Sequence, residues 1–221
     1  MESYRRRFGW MALALALGIC LPARSASFSF GGQFVSDSDV RLFAFTLSAP
    51  GTITLKTWSY GGGMDAAGQT ISNGGFATDL ALYSGSGTLI DFTDSGSCPP
   101  QNPDPGTGLC GDSLLQAVNS PAGQYIVAVT EFFNIPNGLT LSAGFLEDGQ
   151  GNFTGPLLCG TPGGFMDIGC NTRNPNFTLD IVGAEAASAI PEPASLLMTG
   201  SGLILLAAGM MRRLGSAKSR A

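Results

Sequence analysis

Residues 40–47 read Val40-Arg41-Leu42-Phe43-Ala44-Phe45-Thr46-Leu47, and the apolar side chains Phe43, Phe45 and Leu47 fall on every second position. Successive side chains of a strand point to opposite faces, so this spacing describes a half-buried strand rather than a helix. Ala49-Pro50-Gly51 then supplies the residues of a tight turn, and Ile53 and Leu55 resume the alternation within residues 52–58. Two alternating runs around a short Pro/Gly turn predict adjacent antiparallel strands.

The same pattern extends in both directions. Strands are expected at 28–34, 80–83, 88–92, 114–118, 124–130, 139–145 and 177–182, with Tyr125, Val127, Val129, Phe177, Leu179 and Ile181 continuing the apolar face. Ser84-Gly85-Ser86-Gly87 and Pro121-Ala122-Gly123 read as further hairpin turns. Longer Gly-rich stretches lie at 61–75, 95–112 and 147–174. Nine short strands and no long helical pattern predict an all-β fold, an antiparallel β-sandwich of jelly-roll-like type.

The two ends of the chain differ from its middle. Arg5, Arg6 and Arg7, an apolar run from Phe8 to Leu21 and the small residues Ala23 and Ser25 have the order of a secretory signal peptide, so residues 1–25 are expected to be removed on export. Cleavage after Ser25 puts small residues at both selective positions, whereas cleavage after Ala26 puts Arg24 at one of them. At the other end, the Ala-rich stretch after Gly183 reads as a linker, which places the secreted domain at residues 26–186 and the linker and tail at 187–221. A domain of about 160 residues buries roughly two-thirds of its unfolded surface, enough for one core.

Between the termini only Arg41, Lys56 and Arg173 are basic, against fourteen acidic residues, so residues 26–190 carry a formal charge of −11 where the whole chain carries −5. Affinity for nucleic acid needs clustered Lys and Arg to displace counterions, and an acidic surface repels phosphate, so no nucleic-acid partner is expected.

Outside Cys20 the cysteines are Cys98, Cys110, Cys159 and Cys170, an even set in an exported chain, where disulfides persist. Loop-closure entropy favours near neighbours, which predicts Cys98 with Cys110 and Cys159 with Cys170. A zinc site is disfavoured because the chain has no CxxC pair and no histidine.

The absence of histidine also excludes Ser-His-Asp and Cys-His catalysis, and Lys56, the one lysine between the termini, sits in a strand pattern. No catalytic residue is therefore assigned, and the chain is expected not to be an enzyme. The alternative is a carbohydrate-active enzyme built on a carboxylate pair such as Asp91 with Asp94, or Asp37 with Asp39. No organic cofactor is expected. Calcium is the cation that suits an acidic, Gly-rich exported domain, with Asp37, Asp39, Asp79, Asp91 and Asp94 as candidate ligands. Trp58 and Tyr60, beside Gly61-Gly62-Gly63, offer aromatic surface to a sugar ring or belong to the core.

The tail is the most specific signal. Pro191-Glu192-Pro193 precedes an uncharged run over residues 194–211, near the minimum for a membrane-spanning helix, and Arg212, Arg213, Lys218 and Arg220 follow it. The positive-inside tendency puts those cations in the cytoplasm and the domain across the membrane. Together the three parts resemble the PEP-CTERM sorting signal. That resemblance implies recognition at Pro191, Glu192 and Pro193 by an exosortase, an integral-membrane cysteine peptidase of Gram-negative bacteria that make an extracellular polysaccharide matrix. A permanent single-span anchor is the alternative.

The domain resembles secreted domains that accompany such tails, through Asp37-Ser38-Asp39-Val40, Thr57-Trp58-Ser59-Tyr60-Gly61-Gly62-Gly63, Ala122-Gly123-Gln124-Tyr125 and Gly151-Asn152-Phe153-Thr154. Residues 39–47, 79–83 and 123–129 are also loosely similar to bacterial pre-peptidase C-terminal domains, which are β-sandwich accessory modules. These resemblances imply a sandwich, a location at the cell surface or in the extracellular matrix, and extracellular polysaccharide as the partner to expect.

Overall fold

The alternation around Phe43 and Phe45 becomes one inner face of two packed sheets in the computed structural model, which describes residues 26–93, 96, 98 and 101–191. The strands are β1 (Ala26–Gln33), β2 (Arg41–Leu47), β3 (Gly51–Thr57), β4 (Gly63–Met64), β5 (Thr70–Ile71), β6 (Thr78–Ser84), β7 (Leu89–Thr93), β8 (Leu114–Ser120), β9 (Gly123–Glu131), β10 (Asn176–Ala184) and β11 (Ala186–Ile190). One sheet has the order β1-β10-β3-β8 and the other β11-β2-β9-β6-β7, while β4 and β5 form a separate hairpin. Every strand pair is antiparallel. With the small hairpin and β11 set aside, eight strands divide into two four-stranded sheets, successive strands changing sheet except β6 and β7, the double Greek-key connectivity of a jelly roll.

Phe43, Phe45 and Leu47 from β2 meet Ile53 and Leu55 from β3, Leu80 and Leu82 from β6, Val127 and Val129 from β9, and Leu179 and Ile181 from β10 in one buried core. Phe45 stacks on Tyr125 at 5.5 Å between ring centres. Phe34, Phe43, Phe76 and Phe177 close one end of the core with tilted and edge-on contacts.

Two of the three expected hairpins are crossings instead. The turn at Ala49-Pro50-Gly51 carries the chain from β2 in one sheet to β3 in the other, and Pro121-Ala122-Gly123 does the same between β8 and β9. Both faces of each turn look like a hairpin locally; which sheet each strand joins is decided by distant partners. Only the turn over residues 84–87 joins neighbours, β6 and β7.

The strand expected at 139–145 is a short 3-10 turn, Leu141–Ala143, inside an irregular segment. Its alternation is genuine, but the N–H of Phe145 is taken by the Asp148 carboxylate at 2.8 Å rather than by a neighbouring strand. The segment lies over the outer face of the second sheet, where Phe145 packs with Ala81, Tyr83 and Ala128.

The linker reading and the boundary at residue 186 are corrected by β11. Residues 186–190 pair with 42–46 of β2, and Ala187 packs against the core, so the fold continues to Ile190. The chain reaches this second sheet directly from the end of β10. Gly183 permits the crossing: its φ is 101°, and a Cβ there would lie 2.2 Å from the Thr52 carbonyl oxygen.

Candidate functional site

Most of the acidic side chains between the termini lie inside the fold rather than on its surface. Asp37, Asp65, Asp79, Asp104, Asp112, Glu131, Asp167 and Asp180 are all buried, eight of the fourteen acids between the termini. A carboxylate removed from water needs donors, and loop backbone supplies them. Asp37 accepts hydrogen bonds from the N–H groups of Phe153 at 2.7 Å, Thr154 at 2.9 Å and Phe165 at 3.1 Å. Asp112 accepts from the N–H groups of Ser59, Tyr60 at 3.0 Å and Gly61 at 2.8 Å. Burial nevertheless pushes the Asp112 pKa upward, against those three donors.

Asp39 caps the backbone at Val35, 2.6 Å away, and lies 3.7 Å from Arg41. Asp79 is buried on β6 opposite Thr130 of β9, and Asp91 is exposed on the edge strand β7. Asp94 lies outside the described residues. The candidate calcium ligands are not gathered into one site: among the described residues no group of three or more Asp, Glu, His or Cys side chains is placed to hold a metal ion. Cys98 and Cys110 form one disulfide and Cys159 and Cys170 another, in the pairing expected from spacing. Two disulfides fit an oxidising compartment.

A network that composition did not reveal centres on Arg173, whose side chain is 6% exposed. Its Nη1 is 3.2 Å from Asp104 and 3.9 Å from Asp167, its Nε donates to the Gly75 carbonyl, and its guanidinium lies 3.8 Å from the centre of the Tyr60 ring. The Tyr60 hydroxyl donates to Asp167 at 2.6 Å. Burial, and then that hydrogen bond, push the Tyr60 pKa up to about 12. Desolvation opposes ionisation of Asp104, yet donors from Arg173, Asn73 and Thr107 hold its pKa down to about 2. Glu131, fully buried at the end of β9, is pushed well above its usual value by burial and then by the charges of Asp37 and Asp79. Its Oε2 has no hydrogen-bond partner among the described residues.

Tyr60 thus belongs to the interior, whereas Trp58 is half-buried at the surface. Lys56 Nζ lies 3.5 Å from the centre of the Trp58 ring, and the indole N–H donates to Asp180 at 2.6 Å. Burial lowers the Lys56 pKa against the pull of Asp112 and Asp180. The rest of the indole lines a cleft of about 260 Å³ between the chain following β5 and the start of β10. Two larger hollows exist, of about 340 Å³ beside β11 and about 420 Å³ around the 48–52 turn, but small and aliphatic groups dominate their walls.

No known family model and no curated protein matches the chain. Its site must therefore be judged on its own geometry. Pro191 is exposed at the end of β11, while Glu192, Pro193, the signal peptide at 1–25 and the expected span at 194–211 lie outside the described residues. Among the described residues no helix is long and apolar enough to cross a membrane.

Proposed function

We propose that this chain is an exported, non-enzymatic β-sandwich protein that is delivered to the cell surface or extracellular matrix by PEP-CTERM-type sorting and there associates with polysaccharide. The observation that carries this reading is the composite tail: Pro191-Glu192-Pro193, an uncharged run over 194–211, and Arg212 and Arg213. A membrane-bound peptidase needs an extended, accessible segment, and the two prolines disfavour helix there. The end of β11 at Ile190 supports the same reading, because the last strand of the domain ends at the residue before the motif. Two disulfides agree with an oxidising destination. In this scheme the signal peptide directs export, the 194–211 segment holds the chain in the membrane, and an exosortase then releases the domain.

Mass spectrometry of the C-terminus in hosts with and without the exosortase tests the proposal. Loss of residues 194–221 in the first host and their retention in the second is the expected result. An intact tail in both would identify a permanently anchored protein instead.

A further inference from the structure

We propose that the cleft beside Trp58 binds a neutral hexopyranose ring of a polysaccharide. The inference rests on the proposed surface or matrix location for its biological setting, but its physical case lies in the walls of the cleft.

The hairpin of β4 and β5 folds over the outer face of the first sheet and is fastened there, Ala66 N–H donating to Asp180 at 2.8 Å and Ala67 N–H to Ser29 Oγ at 3.2 Å. The chain leaving the hairpin, Ser72 and Asn73, forms one wall; Asn174, Asn176 and Thr178 form the other; Trp58 lines the space between them. Gly63 allows the hairpin to approach the indole, since a Cβ there would lie 2.5 Å from the ring.

Each amide in these walls is held at one end and open at the other. Asn73 donates through Nδ2 to Asp104 at 2.7 Å, Asn174 accepts through Oδ1 from the Asn176 N–H at 3.0 Å, and Asn176 accepts through Oδ1 from Gln33 at 2.6 Å. Asn73 Oδ1, Asn174 Nδ2, Asn176 Nδ2 and the Ser72 hydroxyl have no protein partner among the described residues. One acceptor, two donors and a hydroxyl that does both, in orientations already fixed, match the hydroxyls of a sugar, which donate and accept alike.

The charge pattern selects a neutral ligand. Among the described residues no ionisable side chain lines the cleft. The nearest carboxylates are committed to the protein, Asp104 to Arg173 and Asn73, and Asp180 to Trp58 and Ser29. Lys56 rests on the indole. With Lys56 over one face, the part of the indole that lines the cleft supplies the apolar surface for the C–H groups of a pyranose. About 260 Å³ falls just below the roughly 300–1,000 Å³ of a pocket for a drug-sized ligand, which suits one ring of a longer chain.

The test uses the full chain in detergent, with Trp10→Phe so that Trp58 is the only tryptophan, and follows its emission on titration with cellohexaose, mannohexaose and isomaltohexaose, with an alginate hexamer as the anionic comparison. At least one neutral hexamer is expected to shift the emission, and alginate to leave it unchanged. Ser72→Tyr, at an exposed rim position, fills the cleft without touching the core and should weaken binding at least tenfold; Asn174→Ala should weaken it about fivefold. The inference is overturned if no neutral hexamer shifts the emission, if alginate binds more tightly than all three, or if Ser72→Tyr binds like the parent. Failure here with the tail still removed by the exosortase overturns this inference alone; glycan binding by a chain whose tail stays intact overturns the sorting proposal alone.

Discussion

Arg173 holds its guanidinium 3.8 Å from the centre of the Tyr60 ring while its Nη2 donates to the Tyr60 carbonyl at 3.1 Å, across a separation of 113 residues. The contact joins the end of β3 to the segment before β10, and Asp104 and Asp167 complete it. Replacing Arg173 by Met leaves two buried carboxylates without their cation, and breaking a buried pair in this way costs about 3–5 kcal/mol. Arg173→Met should therefore lower the thermal midpoint sharply. Arg173→Lys should recover little of it, because an ammonium cannot reach Gly75, Tyr60 and Asp104 from one planar fork. Differential scanning calorimetry of both variants checks this.

Glu131 makes the pH dependence unusual. Its pKa is raised above the usual 4.5 chiefly by burial, then by Asp37 and Asp79, with Asp167 adding and Arg173 opposing. A carboxyl whose folded pKa is raised binds more protons folded than unfolded, so its contribution is complete below the unfolded pKa and declines as pH rises towards the folded one. The decline is at most about 1.4 kcal/mol per pH unit in that window. Glu131→Gln should flatten the melting-temperature profile above pH 4.5 and leave a smaller difference from the parent at pH 4. Asp104 acts in the opposite sense. With a folded pKa of about 2 against the usual 3.8, its contribution is lost as pH falls from about 4 to 2.

Asp37 is a test of whether an acid ties loops or holds a cation. It gathers the N–H groups of Phe153, Thr154 and Phe165. Asp37→Ala strands these buried donors, each worth about 1–3 kcal/mol when left unmade. Amide exchange should accelerate over residues 152–165, equally in calcium and in chelator. Protection restored by calcium in the parent alone would assign Asp37 to a metal site.

The second disulfide closes a loop with a sequence separation of 11 in the same region. Changing both Cys159 and Cys170 to Ser frees that loop, and loops of this size are associated with about 3 kcal/mol. The double variant should melt lower than the parent under oxidising conditions, and the two should converge once both are reduced with dithiothreitol.

What could be read from the chain alone divides along a physical line. Phe43, Phe45, Val127 and Leu179 announce their face locally, because a strand's burial is written in its own alternation. The pairing of Cys98 with Cys110 was legible for the same reason, being a short-range event. Arg173 and Tyr60 were not, since nothing near either residue specifies a partner 113 positions away. Residues 139–145 alternate but, among the described residues, pair only through the single Thr88–Thr140 bridge before the chain turns at Leu141–Ala143, and Ala186–Ile190 ladders without a composition that favours strands, so alternation alone overstates the first and understates the second.

β11 carries the last prediction. It covers the edge of β2, pairing Ala187 with Phe45 and Ala189 with Phe43. A chain ending at residue 185 would leave that edge open, and an unprotected edge strand is a template for association. The fragment 26–185 should therefore melt lower than 26–190 and form concentration-dependent aggregates, measured by light scattering. Removal of the tail beyond Pro193 keeps β11 whole, whereas cleavage within 186–190 would not. If the two fragments behave alike, the edge is protected by other means and the position of the motif directly after Ile190 has no structural consequence.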